Sequence, residues 1–276
     1  MELNLQRLVS YFEVWGRSQH GAGPMLAFDD DGAFGRLGQL RLDSHYQPLF
    51  DRQQRAVAYE ALLRVSDPQG RRIAPDRFFA ALDDSHNVIG VDRLCRVIHS
   101  VNFLTQQPQQ QALYLNVNGR HLLGIASGRH GATFEALLAY CGLTPKQVVL
   151  EIIESSVDDL ALLQQAIAAY KAKGFRIAID DFGARHSNFD RLWALEPDIV
   201  KLDRSLTAQA AQNPRAAKVL PVLVRLIQDL GAQVVCEGIE TPVQQALALD
   251  AGADLLQGYL YGEPSPRLLA AQAQPA

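Results

Sequence analysis

The chain has 276 residues, 48% hydrophobic and 20% charged, which allows one large core and excludes a disordered or fibrous polymer. A formal net charge of −4 excludes the strongly basic surface that binds nucleic acid in bulk. Three widely spaced cysteines, Cys95, Cys141 and Cys236, form neither a disulfide framework nor a zinc pair, which suits a reducing cytoplasm.

Residues 1–40 read as an N-terminal helical extension. Leu5, Leu8, Val9, Phe12 and Trp15 share one helical face, Gly21-Ala22-Gly23-Pro24 breaks it, and Asp29-Asp30-Asp31-Gly32 makes a polar turn. Such a helix either packs on the main body or presents an interface to a protein partner. From 41 to 276, short β-rich runs alternate with longer amphipathic segments. Strands are predicted at 45–50, 56–63, 112–117, 147–153, 175–180, 198–202, 233–237 and 254–257.

Helices are predicted between them. Over 158–173, Leu160, Leu163, Ile167 and Tyr170 share a face, Asp158 and Asp159 occupy the first turn, and Gly174 follows as a stop. Helices over 214–230 and 241–251 open on Asn213-Pro214 and Thr241-Pro242, a capping residue followed by a proline whose missing N–H costs nothing there. The strand interiors are apolar on both faces, as parallel strands covered by helices require. Eight strands with helical crossovers fit an α/β fold of the (β/α)8 TIM-barrel type, with an open doubly wound sheet as its rival. No apolar run approaches the roughly 18 residues of a membrane span, since 219–227 is interrupted by Arg225. The N-terminus lacks the basic-then-apolar pattern of a secretory signal, so neither membrane nor export is expected.

Barrel chemistry sits at the C-terminal ends of the strands. Those ends carry Glu60, Asn116, Glu151, Asp180, Asp181, Lys201, Glu237 and Gln257. One acid after a strand is most often a helix cap or a solvated side chain; several converging acids are different. Without cations their burial would cost several kcal/mol per unpaired charge. Hard oxygen donors with no cysteine or histidine among them suit Mg2+ or Mn2+ rather than zinc.

Adjacent Asp180 and Asp181 can turn to different sides, one bridging two ions and the other holding the second. Two ions about 3.5–4 Å apart clamp the attacking and leaving oxygens of a phosphoryl displacement. Lys201 would add charge or orient the attacking water, and Glu237 would accept its proton. This design hydrolyses phosphate esters. Neither a P-loop nor a GxSxG elbow is present, and Asp181-Phe182-Gly183 lacks the Gly-rich loop and catalytic loop of a kinase.

These residues resemble the EAL-domain phosphodiesterases that cleave cyclic di-GMP. Glu60-Ala61-Leu62-Leu63-Arg64 resembles the signature that names the family, and Tyr46-Gln47-Pro48 its lead-in strand. Asn116-Val117-Asn118, Leu150-Glu151-Ile152-Ile153-Glu154-Ser155 and Asp180-Asp181-Phe182-Gly183 resemble the next three motifs. Lys201-Leu202-Asp203, Glu237-Gly238-Ile239-Glu240-Thr241 and Gln257-Gly258-Tyr259-Leu260 complete the series, in order, across about residues 40–266.

The resemblance implies a barrel with one antiparallel strand near its start, and two Mg2+ or Mn2+ ions. Glu60, Asn116, Glu151 and Asp180 would ligate one ion; Asp180 would bridge to a second held with Asp181, with Glu237 close by. Lys201 would hold the hydrolytic water. Gln47 and Arg64 would contact the substrate, Asp203 a guanine, Gln257 would lie near the metals, and Glu154 would brace the loop after Asp181. The Arg64 guanidinium independently offers a planar fork suited to phosphate. The implied reaction turns cyclic di-GMP into linear pGpG in the cytoplasm, by a homodimer.

Two departures stand out. Where the family usually continues Thr-Gly-Tyr-Ser-Ser-Leu, this chain reads Ala184-Arg185-His186-Ser187-Asn188-Phe189. In the family that loop couples metal binding to dimerisation, and Arg185 lacks the backbone freedom of glycine, which weakens the expectation of a dimer. Gly262-Glu263 replaces a common serine and basic residue, removing a positive charge near the barrel mouth. The alternative is therefore a weak or inactive cyclic di-GMP receptor that signals through its N-terminal extension or the altered loop. Retention of every implied ligand favours the enzyme.

Overall fold

In a computed structural model of the chain, residues 4–18, 25–82, 85–108, 110–117, 131–153, 159–184 and 189–269 are described. Helix α1 (Leu5–Ser18) comes first, then strands β1 (Met25–Asp29), β2 (Gly32–Leu37), β3 (Leu40–Asp51), β4 (Ala56–Ser66) and the short β5 (Arg72–Ile73). Helices α2 (Pro75–Ala80) and α3 (Ser85–Thr105), strand β6 (Ala112–Asn116), helix α4 (Gly131–Cys141) and strand β7 (Val148–Ile153) follow. The chain then alternates through α5 (Leu160–Ala172), β8 (Arg176–Phe182), α6 (Phe189–Leu195) and β9 (Ile199–Leu202). It ends with α7 (Arg204–Gln212), α8 (Pro214–Asp229), β10 (Gln233–Cys236), α9 (Pro242–Asp250) and β11 (Leu255–Leu256).

Eight strands close on themselves in the order β3-β11-β10-β9-β8-β7-β6-β4, and pairing of β3 with β4 seals the ring. From β4 to β11 each barrel strand is parallel to its neighbours, whereas β3 runs antiparallel to both β4 and β11. The expected (β/α)8 architecture with one antiparallel strand near its start is thus the observed one. All eight predicted strands form. Closure settles the choice against an open sheet, because it leaves the barrel no unpaired edge.

The predicted helix starts are also present, with one correction. Asp159 is not inside the first turn of α5 but caps it, its carboxylate accepting from the Leu162 N–H at 3.0 Å. Asp158 lies outside the described residues. Asn213 caps α8 and Thr241 caps α9, where Gln244 completes a reciprocal capping box. Ahead of the barrel, α1 packs by Leu8 and Phe12 of the predicted face, whereas Leu5, expected on that face, is exposed at the helix start. The polar turn at Asp30-Asp31 joins β1 to β2, a hairpin that corrects the reading of residues 1–40 as a helical extension and that extends the sheet antiparallel from β3. No helix among the described residues is long and apolar enough to cross a membrane.

The barrel interior is layered. Leu49, Ala58, Tyr114, Val149, Ala178, Ile199, Val235 and Leu255, one from each barrel strand, form an apolar cluster. Successive side chains on a strand point to opposite faces, so the next inward residue lies two positions on. Toward the C-terminal ends of β4 and β6–β11 that step gives Glu60, Asn116, Glu151, Asp180, Lys201, Glu237 and Gln257. In antiparallel β3 the step runs backwards, to Gln47, which sits in register opposite Glu60. The fold therefore caps an apolar layer with a polar one.

Candidate metal centre

At the centre of that polar layer stands Lys201, a fully buried lysine. Its Nζ lies 2.6 Å from Glu151 Oε1, 2.7 Å from Glu237 Oε1, and 3.1 Å from both Glu60 Oε2 and Asp180 Oδ1. Asn116 bridges two of these acids, its Nδ2 donating to Glu60 Oε1 and Glu151 Oε2 at 3.2 Å each. Gln257 Nε2 donates to Glu60 Oε2 at 2.7 Å and to Gln47 Oε1 at 3.3 Å. The strand tips are pinned to each other, with the Glu237 N–H on the Leu202 carbonyl and the Gln257 N–H on the Cys236 carbonyl.

Burial and charge act against each other here. Burial alone would drive the proton off Lys201, but Asp180, Glu151, Glu237 and Glu60 around it push its pKa well above the usual lysine value. Burial also raises Glu60, yet the Lys201 charge and bonds from Gln257, Lys201 and Asn116 outweigh it and leave Glu60 lowered. Glu151 is driven well up by burial and then by the Glu60 charge, and Asp180 is raised by burial. Burial lifts Glu237 to about 8 despite Lys201, and lifts Asp181 to about 6 with help from the Asp180 charge.

One ammonium carries three protons and faces four carboxylates. Glu151 Oε1 and Asp180 Oδ1 are buried without a directed hydrogen bond, balanced only by that ammonium's charge. The surplus calls for more positive charge. Donor oxygens of Glu60, Glu151 and Asp180 lie within 4.8 Å of one another, as do those of Asp180, Asp181 and Glu237. Two such groups sharing Asp180 suit two divalent cations, and all-oxygen donors suit Mg2+ or Mn2+.

Local backbone geometry splits the two aspartates. The β8–β9 register slips between Ile179 and Phe182, and Asp181 adopts a left-handed φ of +57°. Asp180 is buried against Lys201 while Asp181 is exposed, and an oxygen of each comes within 4.8 Å of the other.

The outer residues are less tightly gathered. Arg64 stands four residues above Glu60 on the same side of β4, half-buried, with Nη1 donating to the Leu63 carbonyl at 3.0 Å. Its pKa is lowered by burial and then by the Arg72 charge. Arg72 on β5 and Tyr259 both act electrostatically on Arg64, and the sequence reading named neither as a site residue. The signal for Arg72 lies in the antiparallel register, which sets it opposite Ser66. Asp203 caps α7, accepting from the Ser205 N–H at 3.0 Å and from the Ser205 hydroxyl. Gln47 Nε2 donates to the Gly262 carbonyl at 3.3 Å, and neighbouring Glu263 is exposed. Glu154 and residues 185–188 of the altered loop lie outside the described residues.

Residues 35–264 match the EAL domain family. The chain is 30% identical over 234 residues to the "Probable cyclic di-GMP phosphodiesterase PdeD" of Escherichia coli K12, covering 83% of this chain and 43% of that protein. It is 37% identical over 233 residues to the "Probable cyclic di-GMP phosphodiesterase PdeA" of the same organism, covering 83% of this chain and 31% of that protein. The chain thus spans less than half the length of either relative. Among solved structures, Bacillus subtilis YkuI in complex with cyclic di-GMP and calcium superposes with a TM-score of 0.71 at 28% identity, over 83% of this chain and 57% of that one.

Proposed function

The chain belongs to the EAL-domain family of cyclic di-GMP phosphodiesterases, and from that membership we propose that it hydrolyses one phosphodiester of cyclic di-GMP to linear pGpG. The observation that carries this reading is the buried surplus of carboxylates around Lys201, a charge pattern built for cations. Glu60, Asn116, Glu151 and Asp180 would hold one divalent ion, and Asp180, Asp181 and Glu237 a second. Bound there, Mg2+ or Mn2+ would supply Lewis acidity and lower the pKa of water.

The chain's own residues would do the rest. Lys201, its proton secured by four acids, would donate to the attacking water and fix its position. Glu237, 2.7 Å from the Lys201 Nζ that would fix the water, stands where it would take that water's proton. Arg64 would grip the phosphate with its planar fork, and Asp203 would accept from a guanine edge. Gln257 and Gln47, bonded to each other, would hold Glu60 in place. Glu154 would brace the loop after Asp181.

Incubation with cyclic di-GMP and Mg2+ or Mn2+ tests the proposal. The expected product is pGpG, absent from a Glu60→Ala control and from reactions containing a chelator. No product above that control, with tight binding seen by calorimetry, would overturn the enzyme in favour of a receptor.

A further inference from the structure

The barrel floor, at the opposite end of the strands from the carboxylates, holds a second polar site. Stepping two residues from the apolar layer toward the strand starts gives Asp51, Ala112, Arg176 and Gln233, which line a cavity of about 390 Å³. The two small alanines, Ala58 and Ala112, leave that space open. Within the apolar layer, Tyr114 alone carries a polar atom, and it too lines the cavity.

The charges here do not cancel as they would in a purely structural floor. Asp51 is engaged by Arg55 at 2.7 Å, and Asp254 accepts from the Val234 N–H at 2.8 Å and from Gln228 at 3.1 Å. Arg52 donates to the Ala253 carbonyl at 3.1 Å. Arg176 is different: among the described residues its guanidinium has neither an ion pair nor a hydrogen bond. The Tyr114 hydroxyl likewise has no partner among them, although the residue is 1% exposed. The two are close enough for the arginine's charge to act on the phenol. A guanidinium fork and a hydroxyl donor on two residues that line one cavity are complementary to an oxyanion.

We propose that the floor of the barrel binds a small oxyanion, a phosphate or carboxylate group, between the Arg176 guanidinium and the Tyr114 hydroxyl. The site lies at the opposite end of the strands from the carboxylate cluster, and none of the acids around Lys201 lines it.

Calorimetric titration of inorganic phosphate, and separately of acetate, into the full chain with EDTA at constant ionic strength tests this. Saturable binding of at least one is expected, and the anion that saturates identifies the source. Arg176→Gln should weaken it about 10-fold or more, as loss of a charge-assisted bond does. Tyr114→Phe keeps the ring in the apolar layer and should weaken it about 5-fold through the lost hydroxyl. It also decides the matter if Arg176→Gln fails to fold. Absence of saturation with both anions, or isotherms unchanged in the variants that fold, would overturn the site.

Discussion

Lys201 is the residue on which the charge balance of the barrel mouth turns, because Glu60, Glu151, Asp180 and Glu237, which would otherwise repel one another, all face it. Replacing it with methionine keeps the bulk and removes the cation. Lys201→Met should cost about 3–5 kcal/mol in metal-free protein, the usual penalty for orphaning buried charge. Mg2+ should then restore more stability to the variant than it adds to the wild type. Urea unfolding with EDTA and with Mg2+ measures both, and equal increments would contradict the charge-surplus account.

His99 sets a pH dependence of its own. Its Nδ1 lies 2.7 Å from the Ser44 hydroxyl in a buried site, and burial, then the Arg64 charge, pushes its pKa from 6.5 down to about 3. The unfolded chain therefore takes up a proton that the folded protein refuses between those values. This contribution is intact above pH 6.5 and is lost as the pH falls toward 3, by up to about 1.4 kcal/mol per pH unit. His99→Gln should show a shallower loss of stability between pH 6.5 and 4.5, read from urea midpoints.

At the scale of the element, the loops that deliver site residues are fixed by helix ends. The Thr241 hydroxyl accepts from the Gln244 N–H at 3.3 Å, and Gln244 returns through its side-chain oxygen to the Thr241 N–H at 2.9 Å. Thr241→Ala should cost about 1 kcal/mol, detectable as a shifted urea midpoint with unchanged slope. Gly238 is more constrained. Its φ is +62°, and a Cβ there would sit 2.1 Å from the Arg204 Cβ. Gly238→Ala must therefore move the turn that carries Glu237 relative to the helix that begins at Arg204. A stability loss of about 1–3 kcal/mol is expected, together with reduced turnover as Glu237 shifts from Lys201. Full activity at normal stability would show that the turn is not tied to the site.

For the whole molecule, the question is whether α1 is an appendage or part of the barrel's core. Leu8 and Phe12 belong to one buried cluster with Leu42 of β3 and with Leu63 and Val65 of β4, the strands that carry Gln47, Glu60 and Arg64. Arg93 of α3 adds a polar link, donating to the Tyr11 hydroxyl at 2.7 Å. Phe12→Ala should therefore destabilise the entire molecule by about 3–5 kcal/mol in a single transition. A separate early transition, leaving the barrel midpoint unmoved, would make α1 a detachable arm.

Much of this was legible along the chain because it is written in short-range periodicity. The alternation of side chains along a strand is local, so Glu60, Asn116, Glu151, Asp180, Lys201, Glu237 and Gln257 could be read as strand-end polar residues, and the helix starts at Asn213 and Thr241 as caps. Other features were not written locally. Helix α3 buries Asp92, Arg93, Arg96 and His99 beside Val91, Leu94 and Ile98, so no clean amphipathic stripe marks it. The β1–β2 hairpin is short and glycine-bearing, and its strand geometry comes from the sheet it joins.

The amino-acid order alone thus determined the repeating strand–helix rhythm, the residue types at the strand ends, and, through ordered motifs, the family. Closure of the barrel decided the rest: that one ammonium meets four carboxylates, that Asp180 is buried and Asp181 exposed at a bulge, and that Arg72 comes up beside Arg64. The reason is that charge balance is a many-body property. A carboxylate's protonation depends on burial and on neighbours more than a hundred residues away, as Lys201 is from Glu60, and no local pattern encodes that distance.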